Sequence, residues 1–371
     1  MVPMQRCTRC QVEFYPLRDN ARRCPACTSR GRLPWIAGGA TLVIAAGIVV
    51  ATRIAAASES AAPAAAKPAA QSHEAAPSPA ELDAIKACDS VKIDEVVKAY
   101  NRERLFAAAI RAGATYQTSC KRSPELDWAI LYAHEALDHW LEASAISDRL
   151  VHETPTDADF WWWRGKDRGH LGQHERAVVD IRQSLAHADS SSNGVQIDPL
   201  EISANASNQP CETAFALRWL VSAGVELNDT AKSQYDGAYL GNKCAQLDGK
   251  GSLSWRDGIK HPKMAGELAG HHVVAIIDRG LGTTLVRREV AAAIGLGGGA
   301  EVDVMTPTGL GTGTIARANL AIGQASAPAV PVAVVDELPG GVDVVVGTSF
   351  LWRFELTANG DQLAAVEPSD D

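Results

Sequence analysis

Residues Ala275–Val286 read "AIIDRGLGTTLV", and this stretch decides how the second half of the chain is interpreted. An apolar run ends on Asp278, and a turn rich in glycine follows it. Glycine permits the tight backbone that such a turn needs, and a carboxylate held there is suited to acid–base chemistry. The stretch is therefore either a catalytic carboxylate loop or the remnant of one.

The sequence around this stretch predicts short strands. From Met264 onwards the segments "HHVVAIID", "VDVMT", "TIARANLAI", "AVPVAVVD" and "VDVVVG" are rich in valine and separated by glycine-containing turns. One helix is predicted from Arg287 to Ile294, closed by Gly295. Residues 263–371 are thus expected to form an all-β domain with little helix.

The order of these parts resembles one half of an aspartic protease, the retropepsin-like family of single-domain proteases that act as homodimers. The loop "IIDRGLGTTLV" is followed by the helix "RREVAAAIGL", by a flap-like hairpin "TPTGLGTG" and by the signature "VVVGTSFLWRF". The resemblance covers nearly all of residues 263–371 and implies the acid protease fold. It places a flap at Gly309, Gly311 and Gly313.

The resemblance also implies a mechanism. Asp278 would be the catalytic residue, in an active-site loop that includes Arg279, Gly280 and Thr284. Two such aspartates, one per chain, share a proton at a dimer axis, because like charges about 3 Å apart cannot both ionise. One carboxylate activates a water molecule while the flap covers an extended peptide substrate. Catalysis would need no cofactor.

The loop departs from the family pattern. The family has Asp-Thr-Gly-Ala-Thr, whereas Asp278–Gly282 reads "DRGLG"; agreement returns at Thr284. The missing hydroxyl normally braces both aspartates across the dimer, and Arg279 cannot replace it. Two arginines near the axis are also costly unless they are paired or solvated. An active protease, a folded domain with weak or no proteolysis, and a different all-β fold all remain open.

Charge is distributed unevenly along the chain. Residues 1–32 contain seven arginines against Glu13 and Asp19, a net charge of +5, so that the formal total of −9 leaves −14 for the rest. No basic domain is therefore available downstream, and nucleic acid is not expected as a partner. A hydrophobic content of 46% excludes a wholly disordered chain.

Four N-terminal cysteines predict a metal site. Cys7, Cys10, Cys24 and Cys27 form C-x2-C-x13-C-x2-C, a spacing that supplies four thiolates around zinc. Residues 1–32 resemble the short zinc ribbon found at the N-terminus of many bacterial membrane proteins. Because all four ligands come from the protein, the zinc would be structural. Two disulfides are the alternative.

Residues 33–52 form an uncharged run between Arg32 and Arg53. At about 1.5 Å per helical residue this length spans a bilayer core. The arginine excess on its N-terminal side predicts a single-pass protein of a bacterial-type inner membrane, with a cytoplasmic N-terminus and periplasmic (extracytoplasmic) C-terminal domains. A buried helix and a cleaved signal peptide are the alternatives. Residues 53–80, rich in alanine and proline, are expected to form a linker.

The four remaining cysteines are isolated in sequence. In an oxidising compartment they favour two disulfides, and pairing of neighbours would join Cys88 to Cys120 and Cys211 to Cys244. Free buried thiols are the alternative.

Residues 81–189 show helical periodicity and an internal repeat. Six positions of "FWWWRGKDRGHLGQHERAVVDIRQSLAHAD" (residues 160–189) match the packing positions of a tetratricopeptide repeat, and steps of 34 residues back give weaker matches. This resemblance implies an all-α domain that binds a protein partner. A plain helical spacer is the alternative. Residues 190–262 are expected to form a connection that contains a helical hairpin.

Two functions follow from these expectations. The first is a membrane-anchored, homodimeric retropepsin-like aspartic endopeptidase whose repeats bind proteins. The second is a membrane-anchored interaction scaffold in which the protease-like domain has lost its activity.

Overall fold

The computed structural model describes residues 5–6, 13–14, 76–187, 197–222, 224–227, 229–256, 262–359 and 362–368. The chain divides into two compact units, Met1–Gln71 and Ser72–Asp371. In the first unit, strands β1 (Gln5–Arg6) and β2 (Glu13–Phe14) pair antiparallel. The cysteines of the predicted zinc ribbon (Cys7, Cys10, Cys24 and Cys27), the predicted span 33–52 and most of the linker lie outside the described residues.

The membrane-anchored architecture is corrected by the structure. In the ranges that the structure describes, none of the helices combines the length and the apolar character needed to cross a membrane. The longest of them have 14 residues, whereas a bilayer core requires about 20. The fold found there is a helical region followed by a β region with a six-strand barrel, and the single-pass, inner-membrane assignment is not retained.

The helical region runs from residue 79 to residue 241. Its helices are α1 (Pro79–Ala87), α2 (Ser90–Arg102), α3 (Phe106–Ser119), α4 (Pro124–Ala136), α5 (Trp140–Glu153), α6 (Ala158–His170), α7 (His174–Ala186), α8 (Asp198–Ala206), α9 (Cys211–Ser222) and α10 (Asp229–Gly241).

Helices α2 to α7 form three pairs with a constant interval. α2, α4 and α6 begin at residues 90, 124 and 158, and α3, α5 and α7 begin at 106, 140 and 174, a step of 34 in every case. Asp89, Ser123 and Asp157 cap the first helix of each pair by accepting a backbone N–H. This interval is the one found in the sequence, although membership of the tetratricopeptide family stays a prediction.

Two disulfides fasten the helical region. Cys88, which ends α1, is bonded to Cys120, which ends α3. Cys211, which begins α9, is bonded to Cys244 in a short 3-10 turn after α10. These are the two pairs expected from the sequence. Each bond closes a loop of about 30 residues, which stabilises the fold by limiting the unfolded chain.

The β region consists of a barrel and a small sheet. Its elements are β3 (Ser252–Arg256), β4 (Met264–Leu268), β5 (His271–Ile277), β6 (Thr284–Arg287), α11 (Arg288–Ala293), β7 (Glu301–Thr306), β8 (Gly309–Ile322), β9 (Ala325–Val335), β10 (Val344–Val346), α12 (Thr348–Leu351), β11 (Glu355–Asn359) and β12 (Gln362–Val366).

The strand order of the large sheet is β4-β5-β10-β6-β9-β8-β7. An additional pairing of β4 with β8 closes six of these strands into a ring, and β7 extends from β8 outside it. β5 pairs parallel with β10, and β6 pairs parallel with β9. β3, which the sequence assigned to the connection, joins β12 and β11 in a separate sheet, so the β region begins earlier than predicted.

Helix α7 joins the helical region to the barrel. Ile181 and Leu185 belong to one apolar cluster with barrel residues such as Val286, and Val179 belongs to another with Leu281. The helical region and the barrel both belong to the compact unit Ser72–Asp371, in which α7 is buried against the helices and the barrel together.

A first buried ion-pair network links α6 and α7 to β7. Arg164 and Arg168 of α6 both bond Asp180 of α7 and Asp303 of β7, at distances of 2.7 to 3.1 Å. Burial opposes the charge on Asp303, but the two arginines outweigh it and lower the pKa of that carboxyl. The network therefore holds the start of the β7–β8 hairpin against the helices.

A second network surrounds Glu212 at the start of α9. Its carboxylate accepts from Arg182 of α7 at 2.6 Å and lies 3.4 Å from Arg353, which follows α12. Burial alone would raise the pKa of Glu212, but the two guanidinium groups hold it below its usual value. Removing the carboxylate would leave two buried cations without their partner, which is costly.

A pair of carboxyl groups lies between α4 and α6. Asp167 is fully buried and accepts from Ser147 Oγ at 2.8 Å, and the neighbouring Glu135 accepts from Lys166 at 2.7 Å. Burial and the neighbouring Glu135 raise the pKa of Asp167 to about 9. The folded protein therefore keeps a proton on Asp167 at neutral pH.

This proton makes stability depend on pH. Between about pH 4, the ordinary pKa of aspartate, and about pH 9, the folded state binds a proton that the unfolded chain has lost, so stability falls as pH rises. We predict that Asp167→Asn removes this dependence. The difference in unfolding free energy between Asp167→Asn and the wild type should therefore shift in favour of the variant as pH rises from 5 to 9, by up to about 1.4 kcal/mol per pH unit. Urea titrations at each pH measure this difference. Asp83→Asn, at an exposed carboxylate, is the control; equal pH profiles for the two variants would contradict the assignment.

Candidate active site at the aspartate loop

The aspartate loop connects β5 to β6. The backbone N–H of Asp278 donates to the carbonyl of Val346 in β10 at 2.9 Å, which extends the parallel pairing of β5 and β10. The Asp278 carboxylate accepts the N–H of Gly280 at 3.0 Å. The carboxylate is half-buried, and Arg279 beside it is exposed. Asp278 therefore stands at the end of a barrel strand on a tight turn.

The end of the loop is locked to the segment before α12. Thr284 is fully buried; its hydroxyl accepts the N–H of Gly347 at 3.1 Å, and its own N–H donates to Ser349 Oγ at 2.9 Å. A Cβ at Gly347 would lie 2.7 Å from the carbonyl oxygens of Leu281 and Thr283. Only glycine fits so close an approach, so the loop and the "GTSF" segment are brought together as the resemblance implies.

The flap-like hairpin is fastened to the helices. Gly309, Gly311 and Gly313 lie at the start of β8, and residues 307–308 turn the chain from β7 into β8. Asp303 of β7 is bonded to two arginines of α6, and Arg176 of α7 donates to the carbonyl of Glu301 at 2.9 Å. The start of the hairpin is thus held by ion pairs rather than left free to open.

Gln183 of α7 lies directly on the aspartate loop. Its carboxamide nitrogen donates to the carbonyl of Gly280 at 2.8 Å, and its carboxamide oxygen accepts the N–H of Gly282 at 2.7 Å. The side chain is only 3% exposed. An extended peptide uses the same two groups, one donor and one acceptor per residue, when it pairs with a strand edge. The Gln183 side chain therefore hydrogen-bonds the loop's backbone carbonyl and N–H, the kind of groups with which an extended peptide would pair.

The loop sequence is fitted to this helix. A Cβ at Gly282 would lie 2.5 Å from both the Cα and the backbone nitrogen of Gln183, so no side chain fits there. Leu281 is buried in the apolar cluster that contains Val179 of α7. Arg182 donates to the hydroxyl of Thr283 at 3.3 Å. These contacts give a physical reason for two departures from the family pattern, the leucine at 281 and the glycine at 282.

His187, just after α7, faces Asp278. Its Nε2 lies 3.2 Å from the carboxamide nitrogen of Gln183, which can only donate, so Nε2 accepts and the ring proton is assigned to Nδ1. Partial burial lowers the pKa of His187, and the nearby Asp278 carboxylate only partly offsets this. The group beside Asp278 at neutral pH is therefore an uncharged imidazole.

The loop has one exposed position. Of residues 278–284 only Arg279 is exposed, because α7 covers one side of the loop and the β10–α12 segment covers another. A second loop would have to approach past Arg279, with its own Arg279 facing it. Bringing two such charges together costs free energy unless each is paired or solvated. The structure thus brings together Asp278, Gly280 and Thr284 but gives their loop a helical cover.

No direct sign of this helical cover is visible in the sequence. Arg182, Gln183 and His187 lie in the predicted repeat (residues 160–189) and not in the predicted β domain. The signal that could have found them is Gly282, since a glycine where the family has a side chain indicates a close neighbour.

No protein-family model and no curated protein matches the sequence. The assignments to the retropepsin-like, tetratricopeptide and zinc-ribbon families therefore rest on the residues alone. Within the part of the chain that the structure describes, no group of three or more His, Cys, Asp or Glu residues could hold a metal ion. The zinc site formed by Cys7, Cys10, Cys24 and Cys27 stays a prediction.

Because α7 lies so close to the loop, a single methyl group added at Gly282 should destabilise the fold. Gly282→Ala should lower the free energy of unfolding by about 2–3 kcal/mol, because the new Cβ meets backbone that cannot move aside. Gly297→Ala is the matched control, since a Cβ there meets no atom within 4 Å. Urea denaturation of both variants tests this. Equal stability of the two variants would show that α7 does not lie against the loop.

Proposed function

We propose that this chain is a protein-binding scaffold whose retropepsin-like domain does not cleave peptides. The observation that carries the proposal is a pair of hydrogen bonds. The carboxamide of Gln183 donates to the carbonyl of Gly280 and accepts the N–H of Gly282. The half of the proposal that concerns catalysis follows from this contact. The half that concerns binding rests on the surface of the helical pairs.

Aspartic protease chemistry needs two carboxyl groups that share a proton. In the family that the sequence resembles, the second carboxylate comes from the loop of another chain. Here α7 lies against Asp278's loop, and His187 is the titratable group beside the carboxylate. A neutral imidazole cannot share a proton with Asp278 as a second carboxyl group does. This arrangement supports a domain that retains the aspartate loop but does not catalyse peptide hydrolysis.

The cover is part of the core and not an attached segment. Val178, Ile181 and Leu185 of α7 are each at most 1% exposed. Arg182 is bonded to Glu212 within the second ion-pair network. Moving α7 off the loop would expose these apolar side chains and break buried ion pairs, each of which costs several kcal/mol. The cover therefore persists in the native state.

The helical pairs carry an aromatic face suited to a partner. It consists of Trp128, Trp140 and Trp162, which are half-buried, and of Tyr132 and His170, which are exposed. Tyr132 is 48% exposed, and Trp140 stacks on the exposed His170 with ring centroids 3.6 Å apart. Exposed aromatic side chains are enriched in protein interfaces, where rigid rings bury much area at low entropic cost. This face supports a binding role for the repeats.

The second candidate function is a homodimeric aspartic endopeptidase. One observation favours it: the Asp278 carboxylate is still half-exposed and still held by the N–H of Gly280 at the end of β5. Such an enzyme would have to release α7 from the loop and pair two chains. Activity towards a protein substrate separates the two candidates.

We expect no proteolysis dependent on Asp278. The full chain and Asp278→Ala are incubated with denatured casein from pH 3 to pH 7, and new peptide termini are counted by mass spectrometry. The expected result is the same background for both proteins, because no second carboxyl group activates water. If the wild type cleaves casein and Asp278→Ala does not, the scaffold proposal is contradicted and the endopeptidase is favoured.

Partner binding is expected to depend on the aromatic face. Peptides selected on the full chain from a displayed random library should bind Tyr132→Ala at least about tenfold more weakly than the wild type, the loss typical of an aromatic contact. Leu240→Ala, at a side chain that is 74% exposed on α10, serves as the matched control and should bind normally. Titration calorimetry gives both affinities. Equal binding by Tyr132→Ala, or failure to select any peptide, would remove the binding role of this face.

A further inference from the structure

The rings of the aromatic face are held in place by one another. Trp163 of α6, a half-buried neighbour of this face, packs edge to face against Trp128 of α4, with ring centroids 5.4 Å apart, and against Trp162 at 4.9 Å. Trp140 stacks on His170 at 3.6 Å. Rings that are already ordered lose little conformational entropy when a ligand covers them. The face is therefore preorganised for a partner.

The charged groups at the face neutralise one another. The ammonium group of Lys166 lies 4.4 Å from the ring centroid of Trp163 and bonds the Glu135 carboxylate at 2.7 Å. Asp167 keeps its proton at neutral pH, because burial and Glu135 raise its pKa to about 9. Burial and the Lys166 ammonium lower the pKa of His170, so its imidazole is uncharged at neutral pH. A segment without charge therefore fits the face better than an acidic or a basic one.

The face presents hydrogen-bond donors. An indole N–H can only donate. Among the residues that the structure describes, the indole N–H groups of Trp128, Trp140 and Trp163 have no acceptor. The Lys166 ammonium group has three N–H donors, and its bond to the glutamate uses one of them. A ligand that brings acceptors without donors complements such a surface.

A proline-rich segment has this chemistry. Proline has a backbone carbonyl but no N–H, and the polyproline II helix forms no internal hydrogen bonds, so its carbonyls are free to accept. Its preformed conformation and apolar rings suit grooves lined by aromatic side chains. A β-strand would instead bring one donor for every acceptor, and the acceptors of an α-helix are already used within the helix. The face thus favours polyproline II over the other two conformations.

We infer that the aromatic face binds an uncharged, proline-rich segment of a partner protein in the polyproline II conformation. This inference rests on the proposed scaffold function and names the class of its partner. The indole N–H groups of Trp128 and Trp140 donate to carbonyls of the segment, and the aromatic rings receive its prolines.

The test uses decaproline with blocked ends as the probe, titrated into the full chain by calorimetry. Its counterpart is a blocked decapeptide of alternating glycine and glutamine, which is also uncharged but keeps its backbone N–H groups. Decaproline should bind with saturation, and the counterpart should not bind. Trp128→Phe and Trp140→Phe each keep an aromatic ring but lose the N–H, and each should weaken decaproline binding about three- to tenfold, the loss expected for one hydrogen bond. Leu240→Ala, at an exposed side chain of α10, should leave it unchanged.

The outcomes separate this inference from the scaffold function. Circular dichroism checks that each variant is folded. No saturable binding of decaproline up to about 2 mM, a range that includes weak peptide sites, would overturn the inference, and so would binding that neither tryptophan substitution weakens. Library peptides that bind through Tyr132 but contain no proline-rich segment would overturn the inference and leave the scaffold function standing. If neither decaproline nor any library peptide binds, both fail.

Discussion

The contact between Gln183 and the aspartate loop is the interaction on which the rest of the structure depends. A buried loop has backbone donors and acceptors that must be satisfied, and here one carboxamide satisfies the carbonyl of Gly280 and the N–H of Gly282. The glycine at 282 lets the helix approach to this distance. Once α7 is fixed there, the helical pairs and the barrel share one core. The ion pairs Arg164–Asp303 and Arg182–Glu212 then form between the elements packed around α7.

This constraint connects fold to function. The barrel keeps an aspartate at the end of β5 and the lock between Thr284 and Gly347, features that the resemblance to retropepsin-like proteases implies. The same loop is covered on one side by a helix of its own chain. The proposed scaffold function therefore relies on the surface of the helical pairs, with its aromatic face.

The sequence predicted local features well. The 34-residue interval and the strand that ends on Asp278 depend on periodicity and on turn residues, which are local properties. The sequence failed where a contact joins distant segments. Gln183 and Gly282 are 99 residues apart, and no local pattern of helix or strand encodes their contact. The predicted single-pass membrane anchoring is not supported, because no helix among the described residues is long and apolar enough to cross a bilayer.

Native-state hydrogen exchange of the Gly282 amide in the full chain tests the central claim most directly, because that proton is bonded to Gln183. If α7 covers the loop permanently, the Gly282 amide should exchange as slowly as the backbone amides in the middle of α7 and should open only together with them. Gln183→Ala should speed its exchange. Exchange of Gly282 at the rate of an open loop, while the α7 amides stay protected, would contradict the account and leave the loop available to a second chain.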